Sequence, residues 1–316
     1  MFERFAEFFL PPQRSTVAAE VDGLFHFIHI SGFILFIGIV ATIVYFAIKY
    51  RRKSEDEITP VISHNTRLEI AWSVIPTIMI LIVFSWGFRG FLNVNTAPSD
   101  AFEINVTGVS WFWEFEYPDD GIMLTDELVV PVNQPIKLNM RSEDVIHSFF
   151  VPDFRIKKDV LPGRNTTTWF EATEVGESIM FCAEYCGTEH SAMDATIRVV
   201  SEEEYEEFLE EEAVDIEDMP LAELGELTFQ QQGCQSCHSV DGTDMVGPSM
   251  QGLYQSEREL DDGSTVTADE DYLRRSIVDP RAEVTAGYPN NMPTFYGDRL
   301  SDREIDALVT YIKELQ

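Results

Sequence analysis

Two runs without a single Asp, Glu, Lys or Arg constrain this chain more than any other feature. The first, FHFIHISGFILFIGIVATIVYFAI, covers Phe25 to Ile48, and the second, IAWSVIPTIMILIVFSWGF, covers Ile70 to Phe88. At ~1.5 Å rise per residue the first is long enough for a bilayer core of ~30 Å, and the second lies within the ~17–25 residues that a span needs. Neither carries the polar face by which a helix of a soluble core would meet water, so both read as membrane spans. Pro76 inside the second is compatible with a span, because neighbouring groups in a membrane bundle re-satisfy the carbonyl that it frees. Lys49, Arg51, Arg52, Lys53 and Arg67 flank the short loop between the spans. The positive-inside rule places that loop in the cytoplasm and both termini on the other face. The first twenty residues carry only a short apolar patch cut by Pro11 and Pro12, with no signal-peptide pattern, so the first span is expected to direct its own insertion.

A chain of 316 residues suggests two or three modules. Its formal net charge of -33 argues against nucleic acid, whose phosphates call for a basic face. The four cysteines, Cys182, Cys186, Cys234 and Cys237, fall into two close pairs. That distribution suits two metal or cofactor sites better than a disulfide scaffold.

From Phe102 the apolar period shortens. Phe102, Ile104 and Val106 alternate with Glu103, Asn105 and Thr107, and Trp111, Trp113, Phe115 and Tyr117 share one face of a second strand. Further short apolar runs, from ELVVP to ATIRVV, recur at intervals of about ten residues, as in a sandwich or barrel. The motif FCAEYCGTEHSAM ends one late strand and fills the loop after it, and His147 lies upstream in VIHSFFVPDF. His147, Cys182, Cys186, His190 and Met193 are thereby offered as ligands. A disulfide would leave His190 and Met193 idle, and tetrahedral zinc would leave Met193 unexplained. Imidazole with thiolate and a weak thioether favours copper.

At this point a resemblance is specific. CAEYCGTEHSAM fits C-x-E-x-C-G-x-x-H-x-x-M, the dinuclear copper (CuA) signature of the cytochrome c oxidase subunit II family. VIHSFFVP, GVSWFWEFEYP, the LPGR turn and the two spans are similar to that family in the same order, from Leu24 to about Val200. The resemblance implies a cupredoxin domain in which Cys182 and Cys186 bridge two coppers. One copper would add His147 and Met193, the other His190 and the backbone carbonyl of Glu184. The Glu184 side chain would reach a magnesium or manganese ion at the junction with subunit I. Trp111, with Trp113 beside it, resembles the family's surface patch where electrons come in, although Trp113 equally suits a sandwich core. Glu69, three residues before Trp72 at the cytoplasmic end of the second span, is placed like the mouth of a proton channel into subunit I, or is a plain interfacial carboxylate.

Ser201 to Asp218 carries eleven acidic residues in eighteen positions, with Tyr205, Phe208 and Leu209 on one apolar face and a capping box from Ser201 to Glu204. It reads as a solvated helix and tether. Beyond it, CQSCH at 234 to 238 is a C-x-x-C-H motif, read as covalent haem c attachment through Cys234 and Cys237 with His238 as proximal ligand. The surroundings resemble a class I cytochrome c. LAELGELTFQQQG would be its first helix, with Gly225 and Phe229 at the helix crossing, and LSDREIDALVTYIKEL its last, with a capping box from Ser301 to Glu304. Of Met245, Met250 and Met292, the last lies in YPNNMPTF and is similar to the family's methionine loop, so it is expected as sixth ligand. Pro248 resembles the proline whose carbonyl accepts a bond from the proximal imidazole.

The expected molecule is a multidomain membrane protein. Its parts are an extracytoplasmic segment at 1–22, a transmembrane helical hairpin at 23–91 with a cytoplasmic loop at about 51–67, an all-β Greek-key cupredoxin domain at 92–200, an acidic helical linker at 201–220 and an all-α cytochrome c domain at 221–316. The resemblance to caa-type oxidases implies the subunit through which electrons enter a haem–copper oxidase of the bacterial cytoplasmic membrane. A soluble cytochrome c or a quinol-oxidising complex would feed haem c, then CuA, then subunit I, where oxygen is reduced to water with proton pumping. Two alternatives stand beside it: the corresponding subunit of a CuA-containing nitric oxide reductase, and a membrane-anchored copper-binding or assembly protein. A quinol oxidase subunit is excluded, since that branch lacks the copper ligands.

Overall fold

The computed structural model describes residues 10–55, 57–58, 64–212, 219–243 and 245–316. Residues 1–9 of the N-terminal segment, 56 and 59–63 of the cytoplasmic loop and 213–218 of the linker lie outside the described residues.

The two apolar runs sit inside longer helices, α1 (Ala18–Lys49, 32 residues) and α2 (Thr66–Asn95, 30 residues). Their apolar side chains are exposed all round, as lipid-facing helices require. At ~1.5 Å per residue each is ~45 Å long, so polar turns project beyond a ~30 Å core. The projecting ends are tied to the next domain. Asp22 of α1 accepts hydrogen bonds from Arg155 at 2.8 and 2.9 Å, while the Trp169 indole donates to the Asn93 carbonyl of α2 at 2.7 Å. At the opposite end Asn65 caps α2 by accepting from the Leu68 N–H, and Glu69 accepts from the Asn65 N–H.

The β-domain is a sandwich of two five-stranded sheets. One has the order β3-β2-β1-β5-β8, with β1 Phe102–Val109, β2 Phe112–Tyr117, β3 Ile122–Thr125, β5 Pro135–Ser142 and β8 Thr166–Glu171. The other has the order β4-β10-β9-β6-β7, with β4 Glu127–Pro131, β6 His147–Val151, β7 Ile156–Val160, β9 Gly176–Cys182 and β10 Asp194–Val200. Ile104, Val106, Trp113, Phe115 and Tyr117 are buried between the sheets as the alternation predicts. Each such side chain contributes about 2–3 kcal/mol by leaving water. Trp113 is fully buried in this core, so the surface patch retains only Trp111.

Two findings go beyond the sequence reading. Helix α3 (Glu202–Glu212) begins with the expected capping box. Its Tyr205 and Phe208 lie against Phe102 and Tyr117, with ring centroids 6.2 and 5.7 Å apart. Over that length the acidic segment is a lid on the sandwich rather than a tether, because its apolar stripe finds a core to complete. Moreover, β2 is buried on both faces at Phe112 and Glu114, although alternation predicts a wet outer face.

The C-terminal module supplies that cover. Helices α4 (Leu221–Gln231) and α7 (Asp302–Glu314) cross at Gly225, where any Cβ would overlap the Ala307 carbonyl. The Ser301–Glu304 capping box forms as expected. Helix α5 (Glu270–Val278) and the short α6 (Tyr296–Arg299) complete the helical frame. Long loops join these helices, and one of them carries a small hairpin, β11 (Glu257–Glu259) and β12 (Thr265–Thr267), turned through an Asp-Asp-Gly-Ser loop with Gly263 at φ 81°.

Candidate metal and haem centres

Three neighbouring strands bring one ligand set together. β6 begins at His147, β9 ends at Cys182, and the loop before β10 carries Cys186, His190 and Met193. The Cys182 and Cys186 sulfurs lie 3.8 Å apart, far from the ~2.05 Å of a disulfide. His147 Nδ1 is 3.8 Å from the Cys182 sulfur, while His190 Nδ1 and Met193 Sδ are 3.5 and 3.6 Å from the Cys186 sulfur. The Glu184 carbonyl oxygen approaches the Cys182 sulfur to 3.2 Å. The five side chains and that carbonyl therefore offer six donors in one cluster, where a single tetrahedral zinc takes four. The two thiols are unlike in their surroundings. Against the opposing effect of burial, the His147 ring and backbone N–H groups pull the Cys182 thiol down, whereas burial and the Cys182 charge push Cys186 up. Cations bound between the sulfurs would favour both thiolates.

Sequence reasoning missed the groups that hold His147. Its Nε2 lies 2.9 Å from an Asp144 carboxylate oxygen, which turns Nδ1 toward the sulfurs. Burial alone would push Asp144 up, but hydrogen bonds from His147, Ser110 and Val145 hold it at about 2. Gly108 leaves room for the ring, since a Cβ there would come within 2.9 Å of it. A carboxylate three residues from a ligand histidine was the available signal for Asp144; Gly108 is 39 residues away and gave none. Trp111, just before β2, donates from its indole nitrogen to the Cys186 carbonyl at 3.1 Å.

In the C-terminal module, Cys234, Cys237, His238, Met250 and Met292 line one crevice with about 1130 Å³ of empty space, counting its open mouth. His238 Nδ1 is 2.8 Å from the Pro248 carbonyl, which leaves Nε2 as the ring's ligand atom. Burial keeps the imidazole pKa low, only partly countered by that carbonyl, so the ring is neutral and ready to ligate. Met245 lies outside the crevice lining, 39% exposed. The C-x-x-C-H cysteines, a fixed imidazole and an apolar hollow together fit a covalently attached haem.

Comparison with known proteins places the modules in a family. Residues 4–89 match the family described as cytochrome C oxidase subunit II, transmembrane domain, residues 122–200 its periplasmic domain, and residues 222–316 cytochrome c. Cytochrome c oxidase subunit 2 of Alkalihalophilus pseudofirmus is 33% identical over 292 residues, covering 89% of this chain and 83% of that protein. The chain belongs to the cytochrome c oxidase subunit II family. The Bacillus subtilis subunit 2 is 29% identical over 294 residues, covering 86% of this chain and 82% of that one. Among solved structures, the periplasmic domain of subunit II of cytochrome oxidase of Bradyrhizobium japonicum is 34% identical, covering 37% of this chain and 96% of that one, with a TM-score of 0.36.

Membership makes this chain a membrane-anchored subunit of an oxidoreductase, and its fused cytochrome c module matches the caa-type arrangement. The family implies copper in the sandwich and haem c in the C-terminal module. The remaining residues singled out in the sequence lie apart from the ligand cluster. The Glu184 side chain is exposed beside the copper loop, and Glu69 lies in the first turn of α2, bonded back to Asn65.

Proposed function

We propose that this subunit takes electrons from a soluble cytochrome c or a quinol-oxidising complex and passes them through haem c and a dinuclear copper centre to subunit I. Oxygen would be reduced to water there, with proton pumping. Haem c and CuA supply one-electron transfer with little bond rearrangement, so the chain's own part is to bind, orient and insulate. Cys234 and Cys237 would hold the haem covalently, with His238, braced by Pro248, and Met292 as axial ligands. Cys182 and Cys186 would bridge the coppers, with His147 and Met193 on one and His190 and the Glu184 carbonyl on the other. The Glu184 side chain would serve a magnesium or manganese ion at the subunit I junction, and Glu69 the mouth of a proton channel.

One observation supports the order of carriers: Trp111 touches both centres. Its indole is bonded to the Cys186 carbonyl, and the same side chain lines the haem crevice. A patch already occupied by the chain's own haem module favours donation to the haem first. The positively flanked loop supports a cytoplasmic position for residues 51–67, with both termini and both redox modules outside the bacterial cytoplasmic membrane. Optical and EPR spectra of the purified protein should show a c-type α-band and a mixed-valence dinuclear copper signal. Cys186→Ser should abolish the copper signal and leave the α-band. Stopped-flow reduction by the donor in which copper is reduced before haem would overturn the order.

A further inference from the structure

The outer face of β2 holds an arrangement that neither redox site requires. Glu114 points away from the sandwich core yet is only 2% exposed, because Arg299 of the cytochrome module closes over it. The guanidinium Nη1 donates to both carboxylate oxygens at 2.8 and 2.9 Å, and Nη2 lies 3.2 Å from the Met123 sulfur on the adjoining strand. Around this pair the seam is fitted. The Thr125 hydroxyl donates to the Gln231 carbonyl at 2.9 Å. Gly233, at φ 69°, lies so close to the Phe112 ring that any side chain there would overlap it.

The position of the seam gives it a function. Gly233 immediately precedes Cys234, one of the two haem attachment residues. Phe112 immediately follows Trp111, which is bonded to the Cys186 carbonyl. Glu114 is two residues further along the same strand. A shift of the module along β2 would therefore change the separation between the haem crevice and the copper loop directly. A flexible tether raises effective concentration but does not select one geometry, whereas a charge-assisted pair closed over a buried carboxylate, with the same guanidinium also held at Met123, does. It also carries a penalty for failure, since removal of one partner leaves the other charge under cover without compensation.

We propose that Arg299 and Glu114 are positioning residues for intramolecular electron transfer: they hold the haem module in a fixed dock on the copper domain, with its crevice against Trp111. The proposal rests on the reading that electrons pass from haem c to copper. In that step one electron leaves the reduced haem and reduces the oxidised copper pair, with no proton or leaving group. The observed rate then scales with the fraction of molecules in the docked geometry.

The test uses the full chain in its assembled oxidase, with a nitroxide attached through Asp271→Cys at an exposed position of α5. The four native cysteines of this chain are taken up by copper and haem, and the same oxidase without Asp271→Cys, labelled in parallel, supplies the background. Pulsed EPR between the nitroxide and the copper pair should give one narrow distance in the otherwise native chain and a broad distribution with Arg299→Gln or Glu114→Gln. Haem-to-copper transfer should slow about tenfold or more in both variants, with Arg299→Lys intermediate because it keeps the charge but not the second nitrogen that reaches Met123. The α-band, the copper signal and reduction of the haem by an external donor should be unchanged. A broad distribution in the native chain, or a narrow distance and native rate in Arg299→Gln, would overturn the fixed dock while leaving the electron route standing. Absence of the copper signal from the native chain would overturn the route and the positioning role together.

Discussion

Around the copper ligands the side chains close on one another, while around the haem motif they stand back from a hollow. In the sandwich, His147, Cys182, Cys186, His190 and Met193 are held within 3.5–3.8 Å of one another in a chain of contacts, on strands whose core is fully buried. In the cytochrome module the apolar residues fall into two smaller clusters, with the crevice lined by members of both. The difference shows what each cofactor is for structurally. The copper-type ligands sit on one continuous buried core, whereas a haem in the crevice would join two clusters that both line it.

The largest expected effect breaks the comparison open. Cys234→Ser with Cys237→Ser, which leaves haem unattached, should cost residues 221–316 most of their helical circular dichroism and protease resistance. Removal of copper by a chelator should leave the sandwich folded, with a thermal midpoint within a few degrees of the loaded form. A sandwich that unfolds on copper removal would show that its site is not preformed.

A second, smaller effect sharpens the copper side. Asp144→Ala removes the acceptor that turns His147 toward the sulfurs, and loss of such a partner weakens metal binding by about 10–100-fold. Asp144→Asn, which keeps an acceptor but not the charge, should lie at the lower end. Competition with a copper chelator measures both, and unchanged affinity in Asp144→Ala would show that the sandwich alone fixes the ring.

The smallest effect probes the region between the two centres. Burial, with the charges of Asp194 and Glu114, pushes Asp126 up to about 7 despite a hydrogen bond from the Trp113 N–H. The folded chain then keeps a proton that an unfolded Asp releases near pH ~4. Stability from this group is full below about pH 4 and falls as pH rises toward 7. Asp126 has φ 57°, which Asn also tolerates. Asp126→Asn should therefore be more stable than the native chain by roughly 2 kcal/mol at pH 8, with most of that difference gone at pH 4. Denaturant melts at the two pH values check it, and parallel curves would show that Asp126 is ionised throughout.

The sequence was legible where a pattern is local. Charge-free runs, strand alternation, the capping boxes at Ser201 and Ser301, and Gly225 at the helix crossing all depend on residues within one element or on a pair of elements with a known crossing. The ligand types were legible too, because thiolate, imidazole and thioether in one loop have few chemical uses. Asp144 was within reach, three residues from His147. Glu114 was not: on an alternating strand it reads as a solvated carboxylate like Glu116, and nothing near it in sequence predicts an arginine 185 residues away.

By itself, then, the sequence determined two spans, a β-domain with a copper-type ligand set and a haem-binding helical module, since each follows from short-range periodicity or the chemistry of a motif. Only the tertiary structure decided which atoms of those ligands meet, that α3 completes the sandwich core, and that the haem module seats on β2 over Glu114. Those outcomes depend on surfaces from distant parts of the chain fitting together, and complementarity between surfaces leaves no period in the sequence.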